Sequence, residues 1–285
     1  MFAFFRSVIP YTVPVFVIFT MLNVGLTQKL SVIIGHLKNL PFVLKMLAAN
    51  FIVAPLLMII ALKLMSFDPA LKAGLLIFSL CAGAPFLIKL TQAAEQNVAL
   101  GAAIMMLLMV ATVIYLPVVL PLFLSGATVD AWAIARSLLL QMILPIVVGM
   151  IMVQFLPIFA KRAQPSVGWV GNIALYVVIA ATLIGYFPNM VGIVGTGAIL
   201  VGLAFVAAAF GIGYLAGAGK DHLEDVGGLG TAQRNTAAGL IIAAQNFSDP
   251  NVLVMLTLAN MLGIVMLLLI AKALSRDNKV RTETV

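Results

Sequence analysis

Seven long and predominantly apolar stretches constrain what this chain can fold into. About 20 apolar residues cross the hydrocarbon core of a bilayer as an α-helix. In lipid the backbone groups must be hydrogen-bonded within the structure, which favours helices over open strands. The stretches are 8–26, 40–64, 98–124, 132–156, 167–187, 191–216 and 252–273. They predict an all-α membrane protein.

Composition and motifs agree with a lipid environment. Of the 285 residues, 64% are hydrophobic and 9% are charged, whereas an ordinary soluble domain is about half apolar and about a quarter charged. The net charge of +7 comes from basic residues between the apolar stretches, where they fit membrane topology better than nucleic-acid binding. The spacing of His, Cys, Asp and Glu matches no metal or catalytic motif, so we predict no enzyme activity.

Two further segments, 73–92 and 224–247, are too polar or too broken for a lipid-facing helix. A break frees backbone groups and persists only where protein or a water-filled cavity covers it. Two interrupted helices at matching places indicate an inverted-repeat transporter whose discontinuous helices cross near the midplane. Counting both segments gives about nine transmembrane helices. The residues predicted to break these helices are Gly83, Pro85, Gly228 and Gly230.

Charge asymmetry predicts how the chain is oriented. With nine spans, most Lys and Arg residues fall on the side of the C-terminus. Basic residues accumulate on the cytoplasmic side of membrane proteins. We therefore predict a multi-pass protein of the cell (inner) membrane, with its N-terminus outside and a cytoplasmic tail at 274–285.

Several polar residues lie in or near the interrupted segments. Arg234 is the strongest candidate, because a charge at membrane depth is costly and marks a functional site by default. It pairs with a substrate carboxylate in one interpretation and snorkels to the inner interface in another. The candidate substrate-binding residues are Arg234, Asn235, Gln233, Thr236, Lys89, Gln92 and Asn23.

Four segments resemble motifs of the bile acid:sodium symporter family. They are Met21-Leu22-Asn23-Val24-Gly25-Leu26-Thr27, Ala49-Asn50-Phe51 with Pro55-Leu56, Cys81-Ala82-Gly83-Ala84, and Gln233-Arg234-Asn235-Thr236-Ala237-Ala238-Gly239-Leu240. The resemblance implies a single transporter domain over 1–285 that transports organic anions, usually with sodium. It also implies a panel (about 8–64 and 130–187) and a core (about 70–125 and 191–273) that carries the two crossed helices.

The positions where the family binds sodium depart from its pattern. By resemblance they are Leu87, Ile88, Gly101 and Met105 at one ion site, and Gly230, Arg234 and Asn50 at the other. Only Asn50 retains a side-chain oxygen, whereas a hard cation needs oxygen ligands. We therefore expect no cofactor, with Na⁺ the one ion that the family implies. A second hypothesis for Arg234 is that its guanidinium occupies the space of a bound cation and fixes the crossing.

The expected partners are a small organic anion, such as a monocarboxylate or a sterol acid, and the lipid bilayer. A monomer is compatible with the sequence. Sodium symport, sodium-independent uniport or exchange, and export of the arsenite or auxin carrier type stay open as alternatives. An intramembrane protease is disfavoured, because the apolar stretches hold neither paired Asp residues nor a Ser/His pair.

Overall fold

The computed structural model describes residues 2–123, 130–219 and 223–283, and these residues contain fifteen α-helices, two π-helical segments and no β-strand. The predicted all-α fold is confirmed. The predicted ends of segments at residues 1, 124, 125 and 285 lie outside the described residues. The α-helices are α1 (Phe2–Thr27), α2 (Leu30–His36), α3 (Leu40–Ala48), α4 (Ala54–Leu64), α5 (Pro69–Leu80), α6 (Leu87–Ala93), α7 (Val98–Phe123), α8 (Ala131–Leu138), α9 (Leu144–Phe155), α10 (Pro157–Gly185), α11 (Phe187–Ile193), α12 (Ala198–Gly217), α13 (Glu224–Ala232), α14 (Thr236–Asn246) and α15 (Pro250–Glu283).

Seven helical segments of the described residues are long and apolar enough to cross a membrane. They match the seven predicted stretches, and the count of nine spans stays a prediction. The stretch predicted at 191–216 is interrupted, because α11 ends at Ile193 and α12 begins at Ala198. Gly195 and Gly197 lie in this gap with φ angles of 92° and 83°, a conformation that favours glycine and ends a helix.

Two of the long helices contain a π-helical segment. Ala49–Val53 joins α3 to α4, and Leu139–Ile143 joins α8 to α9. In each case a proline, Pro55 or Pro145, follows two residues after the π-helical segment. Because proline lacks the N–H that a regular turn requires, the preceding turn widens to include one extra residue.

The helices bury one face and present the other to lipid. On α7, Leu108, Leu116 and Leu120 are fully buried. Ile114 and Val118 lie one turn apart on the outward face and are largely exposed. Such an exposed apolar face has lipid as its natural solvent, so the outer surface matches the composition of the chain.

Two groups of helices pack closely within themselves. In one group α1 packs against α9 and α10. In the other, α5 packs against α15, α12 against α13 and α15, and α6 against α7. The stretch 40–64, which we assigned to the panel, contacts α12 and α5 through α3 and α4. The division into panel and core stays a prediction.

Candidate functional site

The first interrupted helix breaks between Leu80, the last residue of α5, and Leu87, the first residue of α6. Gly83 has a φ of 77°. A Cβ atom there would lie 2.7 Å from both the Leu108 carbonyl carbon and the Met105 carbonyl oxygen of α7. Only glycine combines this backbone conformation with so close an approach to a neighbouring helix.

The second interrupted helix breaks at residues 233–235, between α13 and α14. Gly228 and Gly230 lie inside α13, so their prediction as break residues is wrong. Both serve helix packing instead. A Cβ atom at Gly228 would lie 2.7 Å from the ring of Phe210 on α12, and one at Gly230 would lie 3.3 Å from the Met46 side chain.

The two breaks meet and join through their backbones. Ala82 and Arg234 form an isolated antiparallel bridge. Asn235 donates its backbone N–H to the Cys81 carbonyl oxygen (2.9 Å) and its side-chain N–H to the Gly83 carbonyl oxygen (2.9 Å). Asn235 of the second break thus satisfies two carbonyl oxygens of the first break, which helps the unwound backbone to persist in an apolar body.

Thr112 of α7 holds this crossing in place. Its hydroxyl oxygen accepts from the Ala82 N–H (3.1 Å), and the hydroxyl group lies 3.0 Å from the Ala82 carbonyl oxygen, to which it donates. Thr112 is fully buried. One side chain therefore satisfies both backbone groups of Ala82 and ties the first break to a continuous helix.

Arg234 places a buried cation at the crossing. Its side chain is 1% exposed, so the snorkelling interpretation is wrong. The Nη1 atom donates to the Ser79 carbonyl oxygen at 3.1 Å, and Cζ lies 5.0 Å from the ring centroid of Phe205, a distance at which cation and ring attract. Its Nε and Nη2 atoms have no hydrogen-bond partner among the described residues.

The other candidate substrate residues divide into two groups. Gln233 is buried, and its Oε1 atom has no partner among the described residues. Thr236 is partly buried at the first position of α14. Lys89 and Gln92 are exposed on α6. Gln233, Arg234, Asn235 and Thr236 are contiguous in the chain at the second break, whereas Lys89 and Gln92 lie on the helix that follows the first break.

Asn23 lies on another element. Its Oδ1 atom accepts a hydrogen bond from Gln164 Nε2 of α10 at 2.9 Å. A Cβ atom at Gly168, one turn further along α10, would lie 3.1 Å from the same Oδ1. Asn23 thus links α1 to α10, and the residue packs between the two helices.

The positions that the resemblance relates to sodium sites are mostly buried. Leu87 and Met105 are fully buried, and Ile88 is partly buried. Gly101 packs directly against the Thr91 side chain. Asn50 lies in the first π-helical segment, and its Nδ2 atom donates to the Met46 carbonyl oxygen (2.9 Å) and the Thr231 hydroxyl (3.1 Å).

Sequence reasoning missed four residues that shape this region. Ser79 contributes its carbonyl oxygen, and Thr112, Phe205 and Thr231 contribute their side chains. Thr112 is a polar residue within a long apolar stretch, which is a signal that could have identified it. Phe205 carries no such signal in a phenylalanine-rich chain, because only its position over Arg234 distinguishes it.

Comparison with known proteins identifies a matching family and two related proteins. The model of the Sodium Bile acid symporter family matches residues 14–193, a range that includes the first break and ends before the second. The chain is 27% identical over 247 residues to "Probable sodium/metabolite cotransporter BASS1, chloroplastic" of Arabidopsis thaliana, a match that covers 81% of this chain and 58% of that protein. It is 24% identical over 243 residues to "Probable sodium/metabolite cotransporter BASS2, chloroplastic" of Oryza sativa subsp. japonica, covering 83% and 57%. The match thus spans just over half the length of these relatives.

Proposed function

The chain belongs to the sodium bile acid symporter family, whose model covers more than half of it, and we propose that it carries a small organic anion across the membrane by alternating access. It is a multi-pass membrane protein of a family of transporters. The relatives named above are described as sodium/metabolite cotransporters. The class of substrate has to be argued from the crossing itself.

The buried guanidinium of Arg234 carries the proposal that the substrate is an anion. No carboxylate of the described residues forms a hydrogen bond with Arg234, whose Nε and Nη2 remain unpartnered. A buried charge without a counter-ion is costly, and in membrane segments such charges mark substrate pathways. The N-terminus of α14, which begins at Thr236, adds partial positive charge to the same place. An anion near the crossing would offset both the charge of the guanidinium and the partial charge of the helix terminus.

The closed state of the crossing supports a moving carrier rather than an open channel. Arg234 and Gln233 are almost fully buried, so a solute reaches them only after the surrounding helices shift. The α14 helix, which follows the second break, contacts α1 and α8. If α1, α9 and α10 move as a group relative to the crossing, the contact of α14 with α1 and α8 would open first to one side of the membrane and then to the other.

The test is ligand binding by the purified protein. Melting temperature is measured in detergent, both in sodium and in potassium buffer, with monocarboxylates and sterol acids, each paired with its neutral amide. We expect at least one acid to raise the melting temperature and its amide to have no effect, because only the acid offsets a buried positive charge. Equal stabilisation by acid and amide, or no stabilisation across the panel, would contradict an organic-anion substrate.

We also propose that the N-terminus lies outside an inner membrane and the C-terminus lies inside. Lys63 of α4 then faces outward and Arg162 of α10 faces inward, and both are exposed. Because Cys81 is buried, a cysteine introduced at either position carries most of the label. A membrane-impermeant maleimide added to intact cells is expected to label Lys63→Cys and spare Arg162→Cys. The reverse pattern would invert the topology.

A further inference from the structure

We propose that the guanidinium of Arg234 takes the place of a bound sodium ion at the crossing, so that transport by this chain does not require sodium. The inference rests on the proposed function, because it concerns how that carrier is coupled. Sodium is the ion that the family implies. The described residues offer it neither ligands nor space, as four observations indicate.

The carbonyl oxygens freed at the first break are already used. The Ser79 oxygen accepts from Arg234 Nη1, and the Ala82 oxygen accepts from the Thr112 hydroxyl. Asn235 donates to the other two, Cys81 through its backbone N–H and Gly83 through its side chain. Unwound carbonyls are the groups with which broken helices coordinate a cation. Here four of them are engaged by donors of the chain itself.

The second break is occupied in the same way. The Arg234 carbonyl oxygen accepts from the Thr236 backbone N–H at 3.1 Å and from Gln233 Nε2 at 3.3 Å. The Asn235 carbonyl oxygen accepts from the Gly239 N–H within α14. Both carbonyl oxygens therefore already accept hydrogen bonds from the chain. They do not form a free set of oxygen ligands for a hard cation.

The space beside α13 is filled by apolar atoms. The nearest neighbours of a Cβ atom built on Gly230 would be Met46 Cε at 3.3 Å, Ile104 Cγ2 at 3.4 Å and Leu87 Cδ2 at 3.4 Å. Met46, Ile104 and Leu87 are all fully buried. These three nearest neighbours are hydrocarbon or thioether groups and offer no side-chain oxygen to a hard cation.

The buried hydroxyl and amide groups nearby serve the helices. The Thr91 hydroxyl donates to the Leu87 carbonyl oxygen of its own helix. Asn50 donates to Met46 and Thr231, which joins the first π-helical segment to α13. Its Oδ1 atom and Gln233 Oε1 of the second break are side-chain oxygens that lack a partner among the described residues. Two free side-chain oxygens are fewer than the number of oxygen ligands that a hard cation takes.

Arg234 lies where a cation is stabilised. Its Nη1 donor binds the carbonyl of Ser79, in the last turn of α5. The carbonyls of a last turn have no partner within their helix and form the negative end of its dipole. The ring face of Phe205 covers the guanidinium from α12. Arg234 thus supplies a fixed positive charge that a sodium-coupled carrier would obtain from solution.

The first test needs no substrate. The melting temperature of the purified protein is compared in sodium chloride, potassium chloride and N-methylglucamine chloride at equal ionic strength. We expect the three values to agree, because an ion without a site produces no linkage. A rise specific to sodium would overturn the inference, whether or not any anion of the panel binds.

The second test uses the anion that the binding panel identifies, in proteoliposomes. We expect an uptake ratio of about 1 between sodium and potassium media, because sodium makes no differential contact in the transport cycle. Arg234→Met, which removes the charge at similar volume, is expected to lower uptake about tenfold or more, while Arg234→Lys retains part of it. Arg162→Met, at an exposed position on α10, is the matched control and leaves uptake unchanged.

The outcomes separate the two proposals. Sodium-dependent uptake would refute the inference and leave organic-anion transport intact, as would uptake by Arg234→Met at the level of the unmodified protein. If no anion of the panel binds in any salt, the proposed function fails, while the melting temperatures without substrate still decide whether sodium has a site.

Discussion

At the scale of single residues, Asn235 does most to close the crossing. It donates to the carbonyl oxygens of Cys81 and Gly83, and its Oδ1 atom accepts from the Ala238 N–H at 3.1 Å. The last bond makes Asn235 the N-cap of α14, a position at which Asn is strongly favoured. The Asn235 side chain therefore caps α14 at the end of the second break and also donates a hydrogen bond to the first break.

We expect Asn235→Ala to destabilise the protein more than Asn235→Ser. Both substitutions remove the amide that donates to the buried Gly83 carbonyl oxygen, which costs about 1–3 kcal/mol. Alanine also removes the cap, worth about 1 kcal/mol, whereas serine retains a cap oxygen. Thermal unfolding in detergent measures the order. Equal melting temperatures for the two variants would show that the cap contributes nothing.

Gly83 gives a second prediction at this scale. Gly83→Ala combines a positive φ with overlap between Cβ and the α7 backbone, and overpacking of this kind typically costs about 1–3 kcal/mol. Gly192→Ala is the control, because a Cβ atom there meets no atom within 4 Å. We expect a clear loss of melting temperature in the first variant and little change in the second. A Gly83→Ala protein as stable as the control would argue against the described break.

At the scale of elements, glycines let α12 and α13 approach closely. Gly213 of α12 and Gly227 of α13 face one another, and a Cβ atom on either would collide with the carbonyl oxygen of the other. Small residues at helix interfaces permit this approach in membranes, where dispersion contacts drive helix association. This close packing of α12 and α13 places Arg234, which follows the C-terminal end of α13, over the ring of Phe205 on α12.

Gly213→Ala tests this packing against Gly211→Ala on the same helix. The first would force α12 and α13 apart, whereas a Cβ atom at Gly211 meets nothing within 4 Å. We expect Gly213→Ala to lower the melting temperature and to weaken anion binding, because the shift of α13 displaces Arg234. Gly211→Ala should retain both properties. The same response from the two variants would contradict the packing argument.

At the scale of the whole molecule, the α1, α9 and α10 group meets the crossing partly through α8 and α14. Ser137 of α8 donates its hydroxyl to Gln245 Oε1 of α14 at 2.6 Å. Both side chains are accessible from outside the protein. If the group of α1, α9 and α10 moves relative to the helices of the crossing during transport, the contact between Ser137 and Gln245 should break and re-form.

A disulfide between Ser137→Cys and Gln245→Cys is therefore expected to stop transport. The native Cys81 is 1% exposed and stays out of the reaction. Uptake into proteoliposomes should fall after mild oxidation of the double variant and recover on reduction, while each single variant is unaffected. Undiminished uptake by the cross-linked protein would show that α8 and α14 move as one unit.

Local patterns in the sequence determined the membrane class and the first break. Long apolar stretches favour helices in lipid, and Gly83 with Pro85, next to a polar stretch, indicated an interruption. The same local reasoning marked Arg234 as exceptional, because its cost follows from membrane depth alone.

Only the tertiary structure decided where the second break lies within 224–247 and what surrounds Arg234. Glycine permits a break and close helix packing equally well, and the proximity of Phe210 and Met46 selects packing for Gly228 and Gly230. Ser79 lies 155 residues before Arg234 in the chain. Contacts over such separations depend on how the helices assemble, and no local pattern encodes them.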